Sequence, residues 1–329
     1  MHSAARTLRL LALAVGAVIV VAGCASSTAV DSGRAPAGFP ISVENCGVDV
    51  TFQTPPERVL LLESAPVTIL DGIGVFDRVV ARAGSFPAEY YPAEVAAKVN
   101  AVPALTDKMN SSGHLMISQE EVLSQSPDLV LALPEGVSRQ ALHDAGANAL
   151  IQQVFCPGAP APASFQTLYD EIGRYGRVFD RRTQAEGLVA DLRARVADVE
   201  RRSAGAPQRT AAVLYPTVGG GTTYAYGRGS MAQPQLTALG LTNVFGDVPE
   251  RVFEVQPEEL IDADPDVVIL LYQGSPRGVR QALTSLPGAE SMAAITGGRV
   301  ITQLFNFTEP ASPLTVRGLE MLADELDGR

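Results

Sequence analysis

The segment SQEEVLSQSPDLVLAL (Ser118–Leu133) has a close counterpart in QPEELIDADPDVVILL (Gln256–Leu271), at a constant offset of 138 residues. Both copies carry two glutamates at their third and fourth positions and Pro-Asp in the middle, and both end in a run of apolar residues. The first half of each copy predicts a short amphipathic helix that the proline ends. Because the apolar run is continuous rather than alternating, it predicts a strand of a parallel sheet covered by helices on both faces.

The similarity between the two halves continues downstream of each copy. RQAL occurs at Arg139–Leu142 and again at Arg280–Leu283, and each predicts a helix. ALIQQVF and GRVITQLF then predict one more strand in each half. Further strands are predicted at Arg58–Glu63, Arg78–Arg82, Lys98–Val102, Arg209–Tyr215 and Thr222–Tyr226. The sequence therefore predicts an α/β fold with two Rossmann-like lobes of related topology.

The region between the two lobes predicts a rigid connection. No proline occurs from Ala163 to Ala206, and Leu188, Leu192, Val196 and Val199 recur at helical spacing. This pattern predicts a single long helix, about 30 Å if it has ~20 residues, with a ligand cleft between the lobes that it joins. The predicted boundaries are residues 1–23 for a signal peptide, 24–40 for a flexible tether, 41–165 for the N-terminal lobe, 166–206 for the helical connector and 207–329 for the C-terminal lobe.

The N-terminal residues are typical of an export signal. Two arginines, Arg6 and Arg9, precede the uncharged apolar run Leu10–Ala22. This run is shorter than the roughly 20 residues that a membrane-spanning helix needs. It ends in VAGC, which resembles the bacterial lipobox and predicts cleavage before Cys24 and lipidation of that cysteine. We therefore expect an exported lipoprotein anchored at the extracytoplasmic face of the membrane; the alternative is an ordinary secretory signal.

Two further cysteines, Cys46 and Cys156, remain after the lipidation site. Cys46 lies in ENCGVDVTF, which predicts a small β-ribbon, and Cys156 ends LIQQVFC, which predicts a strand. In an exported protein such a pair favours a disulfide; the alternative is two buried thiols.

The composition excludes one class of partner. The chain has 329 residues, of which 46% are hydrophobic, and 36 acidic against 25 basic residues give a net charge of −11. Hydrophobic content at this level indicates a folded protein. A nucleic-acid partner would require a basic surface to neutralise phosphates, so none is expected.

An ordered set of segments carries a resemblance to a known family. PPERVLLLESAPVTILDGIGVFDRVVA, YGRGSMAQPQLTALGLTNVF and ERVFEVQPEELIDADPDVVIL, with both copies of the repeat, are similar to substrate-binding lipoproteins of iron–siderophore and vitamin B12 ABC importers. This resemblance implies a monomeric protein with two lobes and a helical backbone, which delivers a metal chelate to an ABC permease and its ATPase. In that family one glutamate of each lobe docks on permease arginines; by position these are Glu120 and Glu258. Acids favoured by the helix dipole are the structural alternative.

The ligand is expected beyond the carboxyl ends of the strands. Cations that pair with chelate oxygens and tyrosines with a flat face and a hydroxyl favour a ferric siderophore there. The candidate ligand-binding residues are Glu63, Arg82, Lys108, Glu135, Tyr224, Tyr226, Arg228, Arg251, Tyr272 and Phe305.

Other functions remain as alternatives. A corrinoid or haem binder of the same fold is one, because a tyrosine or a lone histidine can be an axial ligand of haem. A sensor or scaffold without a permease is another. An exported hydrolase is disfavoured because no G-x-S-x-G motif occurs, and a direct zinc or manganese site because the two histidines that follow the predicted signal peptide, His114 and His143, are far apart. No enzymatic activity and no resident cofactor or metal are expected.

Overall fold

The computed structural model describes residues 38–110, 114–156 and 162–328. Its first element is an antiparallel hairpin of strands β1 (Ile41–Asn45) and β2 (Val48–Phe52). A disulfide joins Cys46, in the hairpin turn, to Cys156, with an S–S distance of 2.01 Å. The predicted signal peptide, Cys24 and most of the predicted tether lie outside the described residues. In the described ranges, no helix combines the length and the apolar character needed to cross a membrane.

The N-terminal lobe is built on a four-stranded parallel sheet with the order β4-β3-β5-β6. Its strands are β3 (Val59–Leu61), β4 (Val79–Arg82), β5 (Leu129–Leu131) and β6 (Asn148–Leu150). Its helices are α1 (Pro66–Gly72), α2 (Ala93–Ala101), α3 (Gln119–Ser124) and α4 (Arg139–Asp144). Strands β3 and β5 are fully buried, as the continuous apolar runs predict.

Two helices connect the lobes where the sequence predicts a single long one. Helix α5 (Phe165–Val178) is followed by Asp180, whose backbone is left-handed with φ of 53°, and then by the 22-residue helix α6 (Arg182–Ser203). In α6, Leu192, Val196 and Val199 are buried, which is the face that the spacing predicts. The backbone helix is therefore present, with a second helix packed against it.

The C-terminal lobe is built on a mixed sheet with the order β10-β8-β7-β11-β12, and β9 pairs with β7. Its strands are β7 (Arg209–Pro216), β8 (Thr223–Tyr226), β9 (Leu241–Asn243), β10 (Val252–Val255), β11 (Val267–Tyr272) and β12 (Val300–Leu304). Its helices are α7 (Ala232–Ala238), α8 (Pro257–Ala263), α9 (Val279–Thr284), α10 (Ala293–Thr296) and α11 (Pro313–Asp327). The last helix returns to the backbone helix, where Arg195 forms two 2.8 Å hydrogen bonds with Glu320.

The repeated segments fold alike, as α3-β5-α4-β6 and α8-β11-α9-β12, with the short helix α10 inserted before β12 in the second. The Asp128 carboxylate accepts hydrogen bonds from the backbone N–H groups of Glu57 and Arg58 at 2.7 and 3.0 Å, just before β3. Asp266 accepts one from the N–H of Thr210 at 2.9 Å, in β7. The repeated aspartates thus tie equivalent strands together.

The arginines of the two RQAL motifs also have matching contacts. Arg139 donates to the carbonyl oxygen of Ala149 in β6 at 2.5 Å, and Arg280 donates to that of Val300 in β12 at 2.6 Å. Each arginine therefore fastens the helix after the repeated strand to the next strand of the sheet.

Two local predictions are wrong. Lys98–Val102, predicted as a strand, forms the end of helix α2 and the residue that follows it, because Val95 and Val99 bury one helical face. The segment before Cys156 is not one strand: β6 ends at Leu150, and Gln153–Phe155 forms a 3-10 turn. Both errors come from short apolar segments, in which strand and helix patterns cannot be told apart.

Candidate functional site

A cleft of about 750 Å³ lies between the lobes and takes its walls from both. The N-terminal lobe contributes residues that follow β3, β4 and β5, whereas the C-terminal lobe contributes residues that follow β11 and β12. Parallel strands of α/β lobes place their carboxyl ends at such a crevice. The lining includes Glu63, Ser64, Ser85, Tyr90, Met109, His114, Glu135, Phe155, Arg251, Gln273, Phe305, Asn306 and Pro310.

Contacts between the lobes close the floor of the cleft. The Asn306 amide, just after β12, donates a 2.8 Å hydrogen bond to the hydroxyl of Ser64, just after β3. The ring of Tyr90 meets the edge of Phe307 at a centroid distance of 5.7 Å. The buried Tyr90 hydroxyl has its pKa raised to about 12, chiefly by desolvation. The floor is therefore aromatic, with neutral polar groups.

The N-terminal wall carries a half-buried acid, Glu63, without a cation beside it in the described ranges. Glu63 Oε1 is buried and has no hydrogen-bond partner among the described residues. Burial, with a smaller effect of the Glu171 carboxylate in α5, raises the pKa of Glu63 to about 8. Glu171 is itself buried and is paired with Arg174. Of the two neighbouring acids, Glu171 has Arg174 as its cation, whereas Glu63 has none in the described part of the chain.

The C-terminal wall carries a cation backed by an acid. Arg251 Nη1 lies 3.7 Å from Glu309 Oε2, and its guanidinium lies 5.5 Å from the ring centroid of Phe155, on the opposite lobe. Glu309 is fully buried, and its Oε1 accepts a 2.6 Å hydrogen bond from the N–H of Met231. Burial raises the pKa of Glu309 to about 7, although Arg251 and the Met231 N–H act in the opposite direction. Arg251 thus joins the two walls at one rim.

A second groove of about 750 Å³ lies at the outer edge of the first sheet, between the β1–β2 hairpin and α4. Its main cation, Arg139, donates to the Ala149 carbonyl oxygen and, at 2.8 Å, to Asn45 Oδ1. These contacts hold the hairpin against β6. The groove is therefore lined by one lobe only, and its guanidinium is already used by the fold.

The arrangement of the fold agrees with comparisons to known proteins. Residues 59–303 match the periplasmic binding protein family. The chain belongs to the periplasmic binding protein family. The crystal structure of an ABC-type Fe3+-hydroxamate transport system from Saccharomonospora viridis DSM 43017 has 52% identity and a TM-score of 0.83, over 88% of this chain and 99% of that one. This confirms the resemblance and the two-lobe fold that the sequence indicates: the chain is an ABC substrate-binding protein.

More distant relatives share the architecture of this binding protein. The ABC transporter substrate-binding lipoprotein YvrC of Bacillus subtilis (strain 168) is 22% identical over 321 residues, 94% of each chain. The periplasmic haem-binding protein RhuT from Roseiflexus sp. RS-1 is 22% identical, with a TM-score of 0.64 over 82% of this chain and 97% of that one. The family consists of transport proteins that bind substrates rather than of enzymes.

The binding protein brings four of the ten candidate ligand residues to the cleft wall: Glu63, Glu135, Arg251 and Phe305. Two of the others on the N-terminal lobe lie elsewhere. Arg82 donates from Nε to the Val99 carbonyl oxygen at 3.1 Å and lies 5.1 Å from the Phe86 ring centroid. Lys108 is exposed and lines a neighbouring groove. Of the four candidate cations, only Arg251 therefore lines the cleft.

The remaining candidates belong to the C-terminal sheet. Tyr226 is 3% exposed beside the Arg251–Glu309 pair, whereas Tyr224 and Arg228 are exposed and outside the cleft lining. Strand β8 is antiparallel to β7, so the rule that places ligands beyond parallel strand ends does not apply to residues near β8. Tyr272 ends β11 half-buried, next to the lining residue Gln273.

The cleft lining also includes residues that are not among the ten candidates, notably Tyr90, Met109, His114 and Phe155. Tyr90 and Phe155 lie in 3-10 turns, and Met109 and His114 flank a loop, so none directly follows a strand. His114 is exposed at the cleft. In the described ranges, no group of three or more His, Cys, Asp or Glu side chains is arranged to hold a metal ion.

The candidate docking residues occupy equivalent sites. Glu120 and Glu258 lie in the first turns of α3 and α8, and both are exposed. Among the described residues, neither carboxylate has an ion-pair or hydrogen-bond partner. They present two exposed charges, one on each lobe.

Proposed function

We propose that this substrate-binding protein captures a ferric siderophore of the hydroxamate class in its interlobe cleft and delivers it to an ABC permease with its ATPase. The observation that carries the proposal is the 52% identity, over nearly the whole of both chains, to a protein of an Fe3+-hydroxamate transport system. In that proposal the protein acts as a monomer, carries no resident cofactor and catalyses no reaction.

The charge of the cleft supports a ligand of low charge. Its described lining contains one guanidinium, Arg251, and two carboxyl groups, Glu63 and Glu135. Arg251 is partly neutralised by Glu309. Three hydroxamate groups balance the charge of Fe3+, so a ferric trihydroxamate core is neutral. A chelate with several negative charges would need more than one cation to offset its desolvation.

The repeat supports docking through Glu120 and Glu258. The aspartates of the repeat, Asp128 and Asp266, have contacts inside their own lobes. The two glutamates have none among the described residues, although the start of a helix favours an acid by about 0.3–1 kcal/mol. Paired exposed acids on two similar lobes fit a permease of two similar subunits that carry arginines.

We further propose a lipid anchor on Cys24, which holds the protein at the extracytoplasmic face. The support is the VAGC sequence at Val21–Cys24 and the similarity to YvrC, which is named a lipoprotein. Mass spectrometry of the membrane fraction tests this: a diacylglyceryl adduct on Cys24 is expected, whereas an unmodified Cys24 at a free N-terminus contradicts it.

A haem binder is the second candidate function. His114 and Met109 both line the cleft, and histidine and methionine are axial ligands of haem iron. A shift of the Soret band of hemin on addition of the protein, with a different shift for His114→Ala, would favour this candidate over a siderophore.

Ligand-dependent thermal stability of the purified protein tests the proposed function. The panel contains ferrioxamine B, metal-free desferrioxamine B, a ferric tris-catecholate, hemin and cyanocobalamin. A ligand at 100 times its dissociation constant adds about 2.7 kcal/mol to the free energy of unfolding, which raises the Tm by several degrees. We expect a shift with ferrioxamine B that exceeds every other shift. A larger shift with hemin, cyanocobalamin or the catecholate contradicts the hydroxamate assignment.

A further inference from the structure

Glu63 combines two features that do not occur together elsewhere on the described cleft wall. It directly follows the buried residue Leu62 at the carboxyl end of β3, and it lines the cleft beside Ser64. Its Oε1 is buried without a hydrogen-bond partner among the described residues. A buried polar atom without a partner costs about 1–3 kcal/mol, so such an atom in a cleft is a place where a ligand atom completes a hydrogen bond.

The groups around Glu63 do not offer it a cation. Helix α5 presents Glu171, which is ion-paired with Arg174 although burial raises its pKa, and the buried hydroxyl of Tyr175. The cleft cation, Arg251, is engaged with Glu309 on the other wall. An ionised Glu63 would therefore be a second buried negative charge beside Glu171.

A proton on the Glu63 carboxyl group removes the repulsion between Glu63 and Glu171. Burial and the Glu171 charge raise the pKa of Glu63 to about 8, so the carboxyl is neutral at pH 7. A neutral carboxyl group has one O–H donor, whereas a carboxylate has acceptors only. The oxygens that coordinate iron in a hydroxamate chelate, including the carbonyl oxygens, are hydrogen-bond acceptors.

We propose that Glu63 recognises the ligand as a protonated acid: its O–H donates a hydrogen bond to an acceptor oxygen of the bound chelate, so that binding is coupled to retention of this proton. The inference rests on the proposed function and deepens it. Glu63 selects oxygen-rich chelates of low charge, and binding weakens in alkaline solution, where the carboxyl loses its proton and faces the ligand oxygen as an anion.

Calorimetric titration with ferrioxamine B between pH 6 and 9 tests the proposal. The dissociation constant of the wild-type protein should be constant below about pH 7 and should rise toward tenfold per pH unit above about pH 8. Glu63→Gln, whose amide N–H also donates, should bind with similar affinity and no such rise. At pH 8, repeating the titration in buffers of different ionisation enthalpy should show uptake of about half a proton by the wild type and none by Glu63→Gln.

A matched control is Glu135→Gln, an exposed acid on the same wall. Whatever its effect on affinity, it should keep the alkaline rise of the dissociation constant. A second measurement avoids variants altogether: in protein labelled with 13C at the glutamate carboxyl groups, a signal that titrates near pH 8 should stop titrating up to pH 9 once ferrioxamine B is bound.

Three results would overturn the proposal. A wild-type dissociation constant that is flat to pH 9, or that falls with pH, excludes a required proton. An alkaline rise that persists in Glu63→Gln assigns the proton to another group. If the wild-type protein binds no ferrioxamine B at any pH, the proposed function fails and the donor role with it; the first two results remove the donor role alone.

Discussion

The two lobes of this protein agree in their frame and differ at their walls. In both, a helix, a strand, a helix and a strand follow in the same order, and an aspartate ties the repeated strand to its neighbour. Beside that frame, each sheet adds a parallel strand, β4 next to β3 and β9 next to β7, and the C-terminal sheet also adds the antiparallel strands β8 and β10. The frame is thus symmetric where a two-subunit partner would meet it.

The walls are asymmetric where a ligand would meet them. The N-terminal wall offers Glu63, a buried carboxyl with no cation, and the C-terminal wall offers Arg251, a cation backed by Glu309. A symmetric cleft would bind two equivalent halves of a ligand. This cleft instead offers a neutral donor on one side and a partly neutralised cation on the other.

Breaking the symmetric part should have the largest effect on transport. The double variant Glu120→Arg/Glu258→Arg places cations where permease arginines are expected. Uptake of 55Fe-ferrioxamine B by cells that carry only this variant should fall about 100-fold or more, because opposed like charges cost several kcal/mol. The affinity of the purified variant for the chelate should not change.

The matched control is Glu200→Arg/Glu290→Arg, which makes the same change in net charge at two exposed acids elsewhere. It should keep wild-type uptake. Equal uptake by both double variants contradicts docking through Glu120 and Glu258.

Breaking the junction of the walls should have the largest effect on stability. In Gly318→Ala, the new Cβ on α11 would lie 1.9 Å from the carbonyl oxygen of Phe307, at the cleft floor. The backbone must move, and the free energy of unfolding should fall by about 3 kcal/mol in urea denaturation. Gly187→Ala in α6 is the control: its Cβ meets nothing within 4 Å, and it should stabilise the protein by up to about 1 kcal/mol. Equal effects would show that the close approach at Phe307 carries no strain.

The acid of the N-terminal wall should be visible in the pH dependence of stability. The folded protein holds the Glu63 proton, with a pKa raised from 4.5 to about 8, whereas the unfolded chain releases it near 4.5. This contribution is complete below about pH 4.5 and is lost as pH rises to about 8. Glu309, with a pKa raised to about 7, acts in the same direction. In Glu63→Gln, the loss of stability between pH 5 and 8 should be smaller by about 2 kcal/mol in urea unfolding, with screening allowed for. Parallel curves for the two proteins contradict a protonated Glu63.

The cation of the C-terminal wall should have the smallest effect on stability. Arg251→Ala leaves Glu309 buried with a single hydrogen bond, and the free energy of unfolding at pH 8 should fall by about 1–2 kcal/mol. Below pH 6 the difference should shrink, since Glu309 is then neutral. Arg228→Ala, at an exposed arginine of the same lobe, should leave the Tm unchanged. A loss for Arg251→Ala that does not depend on pH would mean that the ion pair is not its cause.

The same contrast explains what the sequence could predict. The repeated segments carry a strong pattern, Glu-Glu, Pro-Asp and an apolar run, and the strands and helices that they predict are present as β5, β11, α3 and α8. Lys98–Val102 alone is too short to distinguish a strand from a helix. The helical spacing of Val95 and Val99 appears only when the preceding residues are included. Local patterns therefore define the frame.

The walls depend on contacts between distant segments, which no local pattern contains. Arg82 and Arg251 look alike in the sequence, yet the first bonds to the Val99 carbonyl oxygen and the second lines the cleft beside Phe155. Glu63 follows a strand, as expected, but its raised pKa depends on burial and, to a smaller extent, on Glu171 from α5. For Glu63 the position at the cleft could be predicted, whereas its charge state could not.

The crystal structure of the protein with ferrioxamine B most directly tests the claim that two unlike walls bind one chelate. Anomalous scattering from iron locates the metal without reference to the protein. We predict iron in the interlobe cleft, with a chelate oxygen within hydrogen-bond distance of Glu63 and the other side of the chelate toward Arg251. Iron in the groove between the β1–β2 hairpin and α4, or a chelate that contacts one lobe only, would contradict the account.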